Sequence, residues 1–146
     1  MVSLGTLPGD TDSMAVSINK QGQVVGYSSG PSGTSAFLWT RKGGMVSLGT
    51  LSGHDYSRAV AINDQGEVVG LSGSLVRARA FLWTSSRGME DLNSLIAMGA
   101  DFVLAEAVGI NNRGTILAIG RDDDGHADAH DNHELAARVL LLVPLR

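Results

Sequence analysis

Cysteine is absent from this 146-residue chain. Its absence excludes disulfides and thiolate metal sites and leaves the redox compartment open. Aromatic residues make up only 5% of the sequence, so the core must be built mainly from aliphatic side chains in small, repetitive layers. The 11 basic residues are outnumbered by 15 acidic ones and form no run able to track phosphates. Nucleic acid is therefore not an expected partner. The longest apolar stretch, residues 139–145, is too short to span a bilayer as a helix, and no membrane association is expected. No charged segment followed by an apolar one opens the chain, so no signal peptide is expected in it.

Glycine is plentiful, at 19 residues, and hydrophobic residues reach 43%. That combination excludes a disordered chain and fits many short elements joined by tight turns. Residues 58–92 show the pattern. AVAIN leads to a turn at Asp64, Gln65 and Gly66; EVVGLS, AFLWT and MEDL follow. Short alternating runs separated by Gly-bearing turns read as a four-stranded antiparallel meander.

The unit occurs three times. MVSLGTL starts at Met1 and again at Met45, and MEDLNSL starts at Met89. AVSINKQGQVVG at Ala15 matches AVAINDQGEVVG at Ala59 and AVGINNRGTILA at Ala107. AFLWT occurs at Ala36 and Ala80, and RVLLL at Arg138 reads as its divergent third copy, with Leu141 in the place of the Trp. The chain divides into repeats 1–44, 45–88 and 89–146 of one domain, with insertions near 96–103 and 121–137 in the third. Gly22, Gly66 and Gly114 are expected at positive φ in the turns, with Asn19, Asn63 and Asn111 starting them. Gly26 and Gly70, with Ala118 in the third copy, mark a close backbone approach or bulge. Short helical turns are expected within residues 93–100, capped by Asp91 or Asn93, and within residues 133–138.

These motifs resemble the HAF repeats of bacterial proteins, over nearly the whole chain apart from residues 122–136. The resemblance implies an extracellular or cell-envelope setting and carries no activity. The strand order is also similar to the tryptophan-aspartate repeat of β-propellers: an inner strand, a turn, a second strand, then a strand ending in Leu-Trp. The resemblance implies an all-β propeller of three four-stranded blades.

The repeat is out of phase with the chain. Residues 1–7 form an outermost strand without a blade, and the third repeat has no outer strand of its own. Propellers close by letting one terminus complete a blade begun by the other. Three blades are too few, because rings need about four to eight. The expectation is a homodimer forming a six-bladed ring, with residues 1–7 completing the partner's third blade. A β-trefoil monomer and an open fragment are the alternatives.

Candidate chemistry is sparse. His126, Asp128, His130 and His133 lie in an acidic insert and could hold a divalent metal; a solvated loop is the competing reading. No calcium loop fits, because Gly120 stands where its first Asp belongs. His133 and Glu134 begin an H-E-x-x-H pattern that Ala137 breaks. Trp39 and Trp83 are expected to pack between blades. No nucleophile elbow occurs, and Gly30 to Gly33 is a turn rather than a phosphate loop. The best candidate for a binding surface is the set of loops entering the inner strands, with Asp12, Ser13, Asp55, Tyr56 and Arg58. The expected function is a non-enzymatic binding or interaction module needing no cofactor. The alternatives are a metal-dependent binding protein or enzyme using residues 122–134, and a purely structural repeat fragment.

Overall fold

A computed structural model describes residues 1–74, 77–96, 102–122 and 137–145. It is all-β, with three antiparallel sheets; the fourth strand of each of the first two is supplied by the start of the following repeat. The first contains β1 (Asp12–Ile18), β2 (Val24–Gly30), β3 (Gly33–Thr40) and β4 (Gly44–Gly49). The second contains β5 (Ser57–Ile62), β6 (Val68–Ser72), β7 (Arg79–Thr84) and β8 (Gly88–Asp91). The third contains β9 (Phe102–Ile110), β10 (Ile116–Asp122) and β11 (Ala137–Leu142). Each sheet is a plain meander in chain order. The third has three strands among the described residues, so β11 is its edge.

The turns follow from their residues. Gly22, Gly66 and Gly114 adopt φ of 74°, 77° and 77°, a region that costs glycine nothing. The Asn63 carboxamide oxygen accepts from the backbone N–H groups of Gln65 and Glu67 at 3.1 and 2.9 Å. Asn19 and Asn111 do the same in their own turns. Gly26 and Gly70 sit where a β-carbon would collide with the Met14 and Arg58 carbonyl oxygens. The bulge lies on the opposite strand, between Ala15 and Ser17 and between Ala59 and Ala61. The third sheet has Ala118 at this place and carries a second register shift, between Ile119 and Gly120.

Asp91 caps a single 3₁₀ turn, Leu92–Ser94, by accepting from the Asn93 N–H, one residue ahead of the segment 93–100 where helical turns are expected. Residues 97–101 and 133–136 lie outside the described residues. Ala137 and Arg138, expected at the end of a second helical turn, instead open β11. The register of β11 also differs from the sequence reading. Val24 faces Trp39 and Val68 faces Trp83, but the equivalent Ile116 faces Leu142. Leu142, and not Leu141, therefore occupies the Trp position. Leu140 and Leu142 point into the core while Leu141 is exposed, so the pleat itself rejects the one-residue-shifted alignment.

The sheets stack in chain order, with the second between the other two: β5 packs on β1, β2 and β3, and β9 packs on β5, β6 and β7. Val25, Ala36 and Leu48 of the first sheet meet Ala59, Ile62, Val68 and Phe81 of the second. Val69 and Ala80 of the second sheet, with Leu92 just after β8, meet Leu104, Ala107, Ile116 and Ala118 of the third. A third cluster, Leu7, Val24 and Phe37, covers the free side of the first sheet with help from Leu4, Trp39 and Met45. Burying a side chain the size of Phe or Leu contributes roughly 1.5–3 kcal/mol, so these layers hold the stack together along with the hydrogen bonds between sheets.

Candidate binding surface

The first strand of each sheet carries a different residue at one shared repeat position: Met14, Arg58 and Glu106. The stacking brings these positions into a row. The Arg58 guanidinium lies 5.9 Å from the centre of the Tyr27 ring on the first sheet. Its Nη2 pairs with Glu106 Oε1 on the third at 3.3 Å. The Tyr27 hydroxyl reaches the Met14 sulfur at 3.1 Å. One cation thus connects all three repeats. The Arg58 Nε is buried without an acceptor among the described residues, while about a third of the side chain, 37%, remains accessible. Such a group supplies hydrogen-bond donors in a fixed plane beside an aromatic face, which suits carbonyl or carboxylate acceptors.

The other expected residues divide between backbone and surface roles. Ser13 Oγ donates to the Gly5 carbonyl at 2.7 Å, and its counterpart Ser57 donates to Gly49 at 2.5 Å. Both are structural pins for the segment entering the sheet. Asp12 opens β1 and its carboxylate accepts from the Thr11 hydroxyl at 2.7 Å. Asp55 is exposed. Tyr56 is half-buried and bridges Thr34 of the first sheet. Arg58 alone of the five joins more than one neighbouring sheet. Sequence reading missed Tyr27 and Glu106. The signal for Glu106 was its repeat equivalence to Arg58; for Tyr27 there was none without the stacking order.

His54 Nδ1 lies 3.1 Å from Ser72 Oγ, a distance that would suit a nucleophile and its base. The serine hydroxyl is already engaged. It is fully buried, donates to the Tyr56 carbonyl and accepts from Leu51 N–H. Ser28 makes the equivalent two bonds in repeat 1 with no histidine nearby in sequence. The pair is a structural clasp.

At the opposite end of the first strands, the three turns are stitched together. Asn19 Nδ2 donates to the Asn63 carbonyl at 3.0 Å, and Asn63 Nδ2 donates to the Asn111 carbonyl at 3.1 Å. Alongside, Lys20 N–H donates to Asp64 Oδ1 and Asp64 N–H to Asn112 Oδ1, both at 2.9 Å. The Lys20 N–H, then the Asn112 side chain, and lastly the Lys20 charge hold the Asp64 carboxyl below the usual carboxylate range, against a small opposing effect of desolvation.

Trp83 packs on the cluster between the first two sheets and Trp39 on the cluster at the free side of the first. His126, Asp128, His130 and His133 lie outside the described residues. Among the described residues, no group of three or more acidic or His side chains stands close enough to share a metal ion, and no helix is long and apolar enough to cross a membrane. No family model matches the chain, and no curated protein or solved structure matches it.

Proposed function

We propose that the chain is a non-enzymatic binding module made of three β-propeller blades. Three features support blades over a trefoil. Among the described residues, strands pair only with their neighbours in the chain, in three separate sheets, apart from the Thr34–Tyr56 bridge, whereas a trefoil closes strands of all three repeats into one barrel. The sheets stack face to face through apolar layers. Their first strands lie side by side, as inner strands do around an axis. The ring is read as six blades from two copies.

The ligand surface is the axial opening, bordered by Asp12, Ser13, Asp55, Tyr56 and Arg58. The observation that carries it is the Arg58 guanidinium, held between Tyr27 and Glu106 with about a third of its side chain accessible. The accessible part of the guanidinium offers further donors to an acceptor-bearing ligand. The ligand class is a small molecule or peptide end carrying a carboxylate or carbonyl.

A thermal-shift panel of short peptides with free or amidated C-termini, uronic acids and neutral sugars tests this. The expected result is a melting-temperature rise with carboxylate compounds that Arg58→Met abolishes. Shifts of equal size in both proteins, or none with any acceptor, reject the site.

A further inference from the structure

We infer that the two ends of this stack are the two halves of one interface, and that a second copy of the chain completes each in a defined strand register. This inference rests on the propeller reading above and deepens it.

The first observation is the conformation of the N-terminal segment. Residues 1–10 pair with no strand among the described residues, yet they are held as residues 45–54 are held on the next repeat. Gly5 and Gly9 take φ of 77° and 85°; Gly49 and Gly53 take 78° and 80°. Leu7 N–H donates to Ser28 Oγ as Leu51 N–H donates to Ser72 Oγ, each at 3.0 Å. Gly5 O accepts from Ser13 as Gly49 O accepts from Ser57. Residues 45–49 form most of β4, the outer strand of the preceding sheet. The segment starting at Met1 is therefore shaped as the outer strand of a sheet that the described residues do not place there.

The second observation is what the terminal sheets expose. Ile62 is buried between the first and second sheets at 7% exposure, while the equivalent Ile18 is 67% exposed. Ala36 and Ala80 are fully buried, while Val139, their equivalent in the corrected register, is 73% exposed. Leu117 and Leu141 are likewise exposed where Val25 and Val69, Leu38 and Leu82 are covered. Each exposed position is apolar, and each repeats one that an internal interface covers. Patches of this kind mark interaction sites.

The third is the stitched turns. Asn111 Nδ2 has no acceptor among the described residues, and no side chain among them donates to the Asn19 carbonyl. Joined end to end, the first would meet the second.

A chain cannot satisfy itself this way. Its N-terminal segment is pinned to the first sheet, and the second sheet separates the first from the third. The junction is head to tail, so a rotation must close it. Rings have about four to eight blades; with three per chain, two copies give the only number in that range. Internal register then fixes the pairing. Met45 faces Trp39, Val46 faces Leu38, Ser47 faces Phe37 and Gly49 faces Ala36. By equivalence Met1 faces Leu142 of the second copy, Val2 faces Leu141, Ser3 faces Leu140 and Gly5 faces Val139.

The absence of cysteine makes the test clean. Val2→Cys and Leu141→Cys are prepared as separate chains, mixed, refolded and oxidised. The expected product is a covalent pair in the mixture and none in either chain alone. Covalent self-pairing of Val2→Cys, or no pairing in the mixture, overturns the register. Native mass spectrometry is expected to give twice the 15.2 kDa chain mass for the wild type, and a monomer for Ile18→Glu, which replaces an exposed side chain and leaves the chain's own core intact. A wild-type monomer, trimer or open polymer overturns the assembly. Ligand binding that needs Arg58 in a monomeric protein would reject the assembly and retain the ligand reading. A dimer that ignores every carboxylate probe would do the reverse.

Discussion

Asn63 holds its own turn with one end of its carboxamide and the next repeat with the other. Its oxygen accepts from Gln65 and Glu67, and its nitrogen donates to the Asn111 carbonyl at 3.1 Å. Only 3% of the residue is exposed. The stitch from Asn19 to the Asn63 carbonyl repeats this link one sheet earlier. A side chain that closes a turn and joins two sheets converts local turn chemistry into stacking order.

Asn63→Ala removes both functions: the Gln65 and Glu67 N–H groups lose their acceptor, and the Asn111 carbonyl keeps only the Gly114 N–H. The expected loss is about 1–3 kcal/mol in denaturant unfolding. Asn63→Asp keeps the acceptor but sets a buried carboxylate oxygen against the Glu67 carboxylate and the Asn111 carbonyl, both of which receive from the Asn63 nitrogen in the wild type, so its loss is expected to be larger. Equal stability of all three proteins would show that the turns do not couple the sheets.

Gly70→Ala tests the close approach beneath the bulge. The added β-carbon meets the Arg58 carbonyl oxygen, which is backbone and cannot step aside. Overpacking of this kind costs about 1–3 kcal/mol. Gly88 offers a control for space: its added β-carbon meets nothing, although its φ of 70° carries its own backbone strain. If Gly70→Ala melts with the wild type, the bulge is softer than the geometry indicates.

Much of the fold was legible because it repeats. The three Asn-to-Gly turns, the strand order and the phase of the outer strand all follow from identical residues at fixed spacing. The register of β11 was not. Residues 122–136 break the spacing, and RVLLL offers neither the Phe nor the Trp that anchors the other two copies, so an alignment by appearance slipped one place. The surface around Arg58 was half legible. Arg58 itself stood at the entrance to an inner strand, but Tyr27 and Glu106 became its neighbours only once the stacking order was known. Ser13 looked available from its polar loop, and only the three-dimensional path of residues 1–7 revealed the carbonyl it binds.

The corrected register makes its own prediction. In the Ile18→Glu background, where the isolated chain is read, Leu142→Ala removes a side chain packed on the Leu104 cluster. Its cost is expected to be a fraction of the roughly 2–5 kcal/mol of a fully buried leucine. Leu141→Ala removes an exposed one and is expected to stay within about 0.5 kcal/mol. The reverse order of the two losses in urea unfolding would restore the shifted alignment.

The Asp64 carboxylate gives the stack an acid-sensitive link. The Lys20 backbone N–H and the Asn112 side chain both favour its ionised form. Its folded pKa therefore lies below its unfolded one, so protons bind the unfolded chain first. The stabilisation is complete above the ordinary carboxylate value of about 4 and is lost as pH falls through the folded value. Asp64→Asn keeps an acceptor for Lys20 N–H and removes the titrating group. Its unfolding midpoint is expected to fall less steeply than the wild type's below about pH 4, with the gap between the two proteins constant from there to neutrality. Parallel acid limbs would mean that the two turns come apart without reference to this charge, and that the asparagine stitch alone holds them.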